Sequence, residues 1–234
     1  MLEVYCSTQE SKLLEEFFKR FLAEEAGREL YIISPWISEV RFERRLVYHP
    51  YLDAESSVEA LAQLARLSNV YIVTRYYDDV LSPSRILSWQ QIYKAYRESP
   101  TPTLEELYKE VIEEIKSVLI RIRTLERLSR IDNIHVRFNN RIHAKIYVGE
   151  RYAIVGSANF TTYALKNYNN ECILLISKEE NEELFKRIRS YARIYFEEAF
   201  KEPECEKTFL RRLKRLGLHF NSLAELRSAL ERLI

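Results

Sequence analysis

His143 and Lys145 lie two residues apart in the stretch RIHAKIYVGERYAIVGSANFTTYALKNYNNE, which runs from Arg141 to Glu171. An imidazole titrates near neutrality and can serve as nucleophile or proton carrier, and an ammonium beside it supplies a fixed positive charge. Together they suit a phosphate. On an extended chain, residues two apart share a face, so His143, Lys145 and Tyr147 point one way and Ile142, Ala144, Ile146 and Val148 the other. The apolar set reads as core and the polar set as site. Gly156, Ser157, Ala158 and Asn159 follow the next apolar run. A glycine there lets the backbone turn sharply, and the small polar side chains can donate hydrogen bonds to the same anion. A two-residue turn at Glu150 and Arg151 pairs Lys145 with Gly156 and His143 with Ala158. That register would leave Ser157 and Asn159 on the wrong face of a regular ladder, so the chain is expected to bend at Gly156.

The surrounding sequence alternates strand and helix patterns. LEVYC reads as a short strand, and Ser7 or Thr8 as the cap of a helix whose apolar residues Leu13, Leu14, Phe17, Phe18, Phe21 and Leu22 recur at spacings of three and four. ELYIIS is a second strand, stopped by Pro35. The stretch PWISEVRFERRLVYHPYL is read as irregular, with a helix beginning at Asp53 and a strand at NVYIVTRY. NIHVRF, IHAKIYVG and YAIVGS follow as three strands of an antiparallel meander, ECILLIS as a further strand, and residues 179–201 as an amphipathic helix. This order predicts an α/β layer fold. Between about 84 and 130 the pattern is wholly helical, broken at Ser99 to Pro102. Its second helix carries Leu104, Tyr108, Val111, Ile115, Val118, Ile122 and Leu125 in a coiled-coil-like seam, which fits packing on its own domain or contact with a partner chain. Beyond Pro203 the tail reads as a helical hairpin, with Gly217 ending one helix and Asn221 or Ser222 capping the next. The expected domains are therefore 1–202, interrupted by the helical insertion, and 203–234.

His143-x-Lys145, an acid at Glu150 and then Gly156-Ser157-x-Asn159 resemble the HKD signature of the phospholipase D superfamily. Ser34, Pro35, Trp36 and Ile37 look like a segment common in its nuclease-like members, and Glu171 lies where such members carry an acid after the motif. The resemblance covers roughly residues 29–75 and 133–178. It implies a mixed β-sheet flanked by helices on both faces, and a metal-independent, cofactor-free exchange of phosphodiesters through a phosphohistidine. By position, His143 would attack phosphorus, and Lys145 and Asn159 would bind the non-bridging oxygens. Ser157 would support the phosphate or the histidine, and Glu171 would accept a hydrogen bond from the imidazole. Glu150 departs from the motif's aspartate, which in the family is chiefly structural. Family sites use two such motifs, because one histidine must be neutral to attack while another is protonated to release the leaving group. This chain has one, so the resemblance implies a homodimer with two copies of His143 across a twofold axis.

Charge is balanced, with 36 basic against 35 acidic residues, so attraction to a polyanion must come from local patches. Lys116, Arg121, Arg123, Arg127, Arg130, Arg137, Arg141 and Lys145 face only Glu126 and Asp132 between positions 116 and 145. Trp36, Arg41 and Arg44, together with Phe42 and Tyr48, combine base-stacking rings with phosphate-neutralising guanidinium groups. A nuclease acting on DNA or RNA is the leading expectation. A lipid-directed phospholipase or phosphatidyl transferase, and a binding domain without catalysis, are the alternatives. No apolar run reaches the roughly 18 residues of a membrane helix, and the opening lacks the regions of a signal peptide, so a cytoplasmic protein without a membrane partner is expected. Cys6, Cys172 and Cys205 lie far apart without a CxxC pair, and reduced thiols are expected.

Overall fold

The computed structural model describes residues 2–6, 13–25, 27, 29–48, 52–77, 80–166, 168 and 170–234. Ser7 and Thr8, the expected helix caps, lie outside them. In chain order the elements are β1 (Leu2–Cys6), α1 (Leu13–Glu24), β2 (Glu29–Ile33), β3 (Arg41–Tyr48), β4 (Leu52–Ser56), α2 (Ser57–Leu64), β5 (Asn69–Thr74), α3 (Pro83–Glu98), α4 (Pro102–Ser129), β6 (Ile134–Phe138), β7 (Ile146–Val148), β8 (Tyr152–Gly156), α5 (Thr162–Leu165), β9 (Cys172–Ser177), α6 (Glu182–Glu197), α7 (Glu202–Arg215) and α8 (Leu223–Glu231). Seven strands form one mixed sheet in the order β1-β9-β8-β7-β2-β5-β6, and β3 pairs with β4 in a separate ribbon. Chain contacts define two compact units, residues 1–75 with 124–200 and residues 76–123 with 201–234.

In the first unit, helices cover both faces of the sheet. Ile142, Val148, Ala153 and Ile176 pack with Phe185, Ile188, Ala192 and Phe196 of the amphipathic α6. Each large aliphatic side chain so buried contributes roughly 1.5 to 3 kcal/mol. On the opposite face Phe18 of α1 meets Tyr147 edge-on at 4.8 Å, a favourable aromatic geometry. In the second unit Tyr108 of α4 donates to the Leu233 carbonyl at 2.7 Å, and Trp89 of α3 donates to Glu114 at 2.8 Å. Of the seam residues, Val111, Ile115, Val118 and Ile122 are buried in this unit and Leu125 is buried in the first, while Leu104 and Tyr108 are half-buried. Ser222, rather than Asn221, caps α8, and Gly217 adopts the left-handed conformation that ends the preceding helical segment.

Four expectations are corrected. The stretch after Trp36 is not irregular but carries β3, which turns back onto β4. Asp53 lies within β4, whose Leu52, Ala54 and Ser56 are buried while Asp53 and Glu55 are exposed; this period of two marks a strand, and Ser56 caps α2. β6 is not part of the meander. It pairs in parallel with β5 at the far edge, and the meander is β7, β8 and β9. Cys6 and Cys172 are not reduced thiols: they stand opposite each other on β1 and β9, with Cα atoms 4.1 Å apart, and form a disulfide. Register brings together residues 166 positions apart, a proximity no local spacing signals.

Candidate active site

Topology collects five chain segments at one edge of the sheet. β2, β5 and β6 are parallel and end together, at Ile33, Thr74 and Phe138. β7 starts opposite Ile33 and runs antiparallel to β2, so residues 139–145 cross the strand ends to reach it. β8 ends and β9 begins at the same edge. Trp36, Arg75, Arg141 to Lys145, Ser157 to Asn159 and Glu171 all follow or precede strands here. This is the carboxyl edge of the parallel strands, where diverging connections leave a crevice for a ligand.

His143 and Lys145 precede β7 instead of lying within it, yet the alternation holds through the crossing segment. Ile142, Ala144 and Ile146 pack into the α6-side core, while His143 is exposed on the other side. The Lys145 ammonium donates to the His143 carbonyl at 2.9 Å and lies 3.2 Å from His143 Nδ1. The Gly156 N–H donates to the Lys145 carbonyl at 3.3 Å, the pairing that a two-residue turn requires. A Cβ at Gly156 would lie 2.3 Å from the Cys172 carbonyl oxygen and 2.7 Å from Ile173 Cα, so only glycine permits β9 to approach. The main chain makes one more cross-strand bond, from the Ser157 N–H to the Cys172 carbonyl at 2.9 Å. The Ser157 hydroxyl donates to the Glu171 carboxylate, and its Oγ accepts the Cys172 N–H at 3.0 Å.

Asn159 is held by its backbone, whose carbonyl accepts the Thr161 N–H at 2.8 Å. Its side-chain oxygen is buried with no hydrogen-bond partner among the described residues. That oxygen is an acceptor, so the part of the carboxamide able to donate to a phosphate oxygen is its NH2 group. Tyr147, which alternation grouped with His143 and Lys145 on the polar face, belongs to the core instead. It is buried on the face opposite α6, its hydroxyl donates to the Ala158 carbonyl at 2.7 Å, and burial pushes its pKa above the ordinary tyrosine value. Glu171 is buried and accepts the Ser157 hydroxyl. Burial and then the charge of Arg75 lower the Lys145 pKa, while the Glu171 carboxylate opposes them.

Arg75 escaped the sequence reading. Its Nε donates to the Ile142 carbonyl at 2.8 Å, its N–H donates to the Pro35 carbonyl at 3.2 Å, and its guanidinium lies 5.9 Å from the centre of the Trp36 ring. The available signal was its position: a cation immediately after the buried strand NVYIVT, where no apolar face needs it. Trp36 stands beside the Gly156 to Asn159 loop, because Ile37 bridges Phe160 and the Ser34 hydroxyl accepts the Phe160 N–H at 3.1 Å. Arg141 is exposed on the crossing segment. Arg41 and Arg44 are exposed on β3 of the β3–β4 ribbon. Arg137 donates to the Phe196 carbonyl at 3.0 Å and serves packing. Among the described residues, no group of three or more His, Cys, Asp or Glu side chains is arranged to hold a metal ion.

The motif acid works at the opposite end of the sheet. Glu150 pairs with Arg189 at 3.0 Å, and Arg189 also reaches Glu29 at 3.0 Å. The turn itself is held by a second acid that sequence reading missed, Glu25. Its buried carboxylate accepts the N–H groups of Glu150, of Arg151 at 3.0 Å and of Tyr152 at 2.6 Å. Gly149 is required beside it, since a Cβ there would lie 2.1 Å from Glu25 Oε2. Burial pushes the Glu25 carboxyl up to about 7 against the three backbone donors. Glu25 and Arg189 thus set the β7–β8 register on which the placement of Lys145 opposite Gly156 depends.

A sheet of this order, with a histidine–lysine pair and a Gly-Ser-x-Asn bend at its carboxyl edge, defines a phospholipase D-like domain. The family model described as cardiolipin synthase, PLD-like domain, matches residues 37–193, and the chain belongs to that family. Among solved structures, it is similar to NucT from Helicobacter pylori, at 13% identity and TM-score 0.48, covering 86% of this chain and 100% of that one. It is also similar to Nuc from Salmonella typhimurium, a phospholipase D family member, at 12% identity and TM-score 0.48, covering 86% and 99%. The archaeal chromatin protein TrmBL2 matches at 10% identity and TM-score 0.39, over 85% of this chain and 54% of that one. No curated protein sequence matches the chain.

Proposed function

We propose that the protein is a metal-independent phosphodiesterase whose substrate is nucleic acid, DNA or RNA, and that it works as a homodimer. The observation that carries this reading is the convergence of His143, Lys145, Ser157, Asn159 and Glu171 at one sheet edge in a phospholipase D-like domain. A neutral His143 attacks phosphorus, and the scissile P–O bond breaks. The leaving oxygen takes a proton from His143 of the partner subunit. Water then attacks the phosphohistidine and returns its proton to that second imidazole, which restores both rings. Lys145 and the Asn159 carboxamide bind the non-bridging oxygens and stabilise the charge that builds on the pentacovalent phosphorus. Ser157 and Glu171 act as a unit that holds the bend in place. A symmetric dimer supplies the second histidine that one HxK-GSxN constellation lacks. Arg141, at the site, and Arg41 and Arg44, on the ribbon, would neutralise flanking phosphates.

The same exchange on a phospholipid is the second reading, favoured by the family description. No helix among the described residues is long and apolar enough to cross a membrane. End-labelled single- and double-stranded DNA and RNA, incubated in EDTA with wild type or His143→Ala, provide the direct test, with phospholipid vesicles alongside. Cleavage by wild type alone supports the nuclease reading. Lipid turnover without nucleic-acid cleavage assigns the second reading, and binding without loss of any substrate makes the protein a binding module.

A further inference from the structure

Trp36 is 41% exposed where β2 ends, although its main chain is tightly held. The Ser34 hydroxyl donates to the Trp36 carbonyl at 2.8 Å, and the preceding Pro35 carbonyl accepts both the Thr74 hydroxyl at 3.0 Å and the Arg75 N–H at 3.2 Å. The indole is therefore carried on a rigid segment between the ends of β2 and β5. Arg75 reaches over its ring with the guanidinium, while Nε is committed to the Ile142 carbonyl. Ile142 is next to His143, and the charge of Arg75 is felt at Lys145. An exposed aromatic ring backed by a cation, one step from the candidate phosphate site, is unlike a packed core tryptophan. Trp89, by contrast, is buried with its N–H bonded to Glu114.

We infer that Trp36 and Arg75 form a stacking shelf for one nucleobase of a single-stranded nucleic acid, the base next to the phosphate held by Lys145. The inference rests on the nucleic-acid reading above and names its substrate class. Every base has a flat face, so such a shelf accepts any sequence, and the cation strengthens the contact with the ring. A base engaged there cannot also be stacked between its neighbours in a duplex. The shelf therefore discriminates by strand state. Arg75 additionally supplies positive charge to the adjoining phosphate, with its geometry fixed by the Ile142 carbonyl.

The test measures binding apart from cleavage. In a His143→Ala background and in EDTA, the anisotropy of a labelled oligothymidylate, and of a duplex of equal length, is titrated with chains carrying Trp36, Trp36→Phe or Trp36→Ala. Trp36→Ala should weaken single-strand binding about 5- to 100-fold and leave duplex binding within about twofold. Trp36→Phe should recover most of the affinity, and its retained fold is checked by circular dichroism. An oligonucleotide lacking one base should lose affinity with Trp36 present and lose little more with Trp36→Ala. Equal losses on single strand and duplex, no loss in Trp36→Ala, or no single-strand binding by the parent chain would overturn the shelf. If wild type cleaves nothing while Trp36-dependent single-strand binding persists, the nuclease reading fails and the shelf stands.

Discussion

Replacing Glu25 with glutamine should make folding stability far less sensitive to pH between about 4.5 and 7. The carboxylate is 1% exposed and receives backbone N–H groups from the β7–β8 turn. Burial outweighs those donors and lifts its pKa from the usual 4.5 to about 7. Between these values the folded chain holds a proton that the unfolded chain has released, so stability falls as pH rises through the window. A difference of that size corresponds to about 3 kcal/mol, fully favourable below pH ~4.5 and gone above pH ~7. Glutamine does not titrate, so urea unfolding of wild type and Glu25→Gln at closely spaced pH values isolates the contribution. The wild-type advantage over the variant should shrink by about 3 kcal/mol from pH ~4.5 to ~7.5. Titrations of histidines and other carboxylates are common to both chains and cancel. A difference that stays constant within about 0.5 kcal/mol across the window refutes the claim that Glu25 titrates high in the folded chain. The turn sets the register that places Lys145, so the proposed phosphodiesterase activity at the other end of the sheet should follow the same pH trend.

Gly156→Ala should cost about 1 to 3 kcal/mol, because its Cβ meets the Cys172 carbonyl and forces β9 outward; thermal unfolding measures the cost, and activity should fall as Ser157 leaves Glu171. Cys6→Ser should remove about 2 to 4 kcal/mol of stability, since the bond closes a loop of 166 positions, and dithiothreitol should abolish the difference from wild type in denaturant unfolding. Arg189→Met leaves Glu29 and Glu150 facing each other and should destabilise by about 1 to 3 kcal/mol at neutral pH. Arg189 holds the Glu150 pKa below its ordinary value, so this stabilisation is present above that value and is lost as pH falls through the lowered one; the variant's deficit should therefore narrow in acid.

The sequence alone determined the chemistry-bearing residues and their local spacing. His143, Lys145, Ser157 and Asn159 carry their chemical identities with them, and alternation assigned Ile142, Ala144, Ile146 and Val148 to the core face, where they lie. The turn at Glu150 and Arg151 and the bend at Gly156 were also legible, because both depend on neighbours within a few positions. Long apolar runs such as ELYII and CILLI read as strands, whereas the arginine-rich β3 reads as irregular and Asp53, in a strand with only two apolar residues, reads as a helix start. Only the tertiary structure decided partners distant along the chain. It moved β6 to the far edge, paired Cys6 with Cys172, and brought Arg75 to Trp36 and Glu25 to the turn. Periodicity reports which face of an element is apolar, but not which element covers it or which strand lies next to it. Those choices depend on burial and hydrogen bonding summed over the whole sheet.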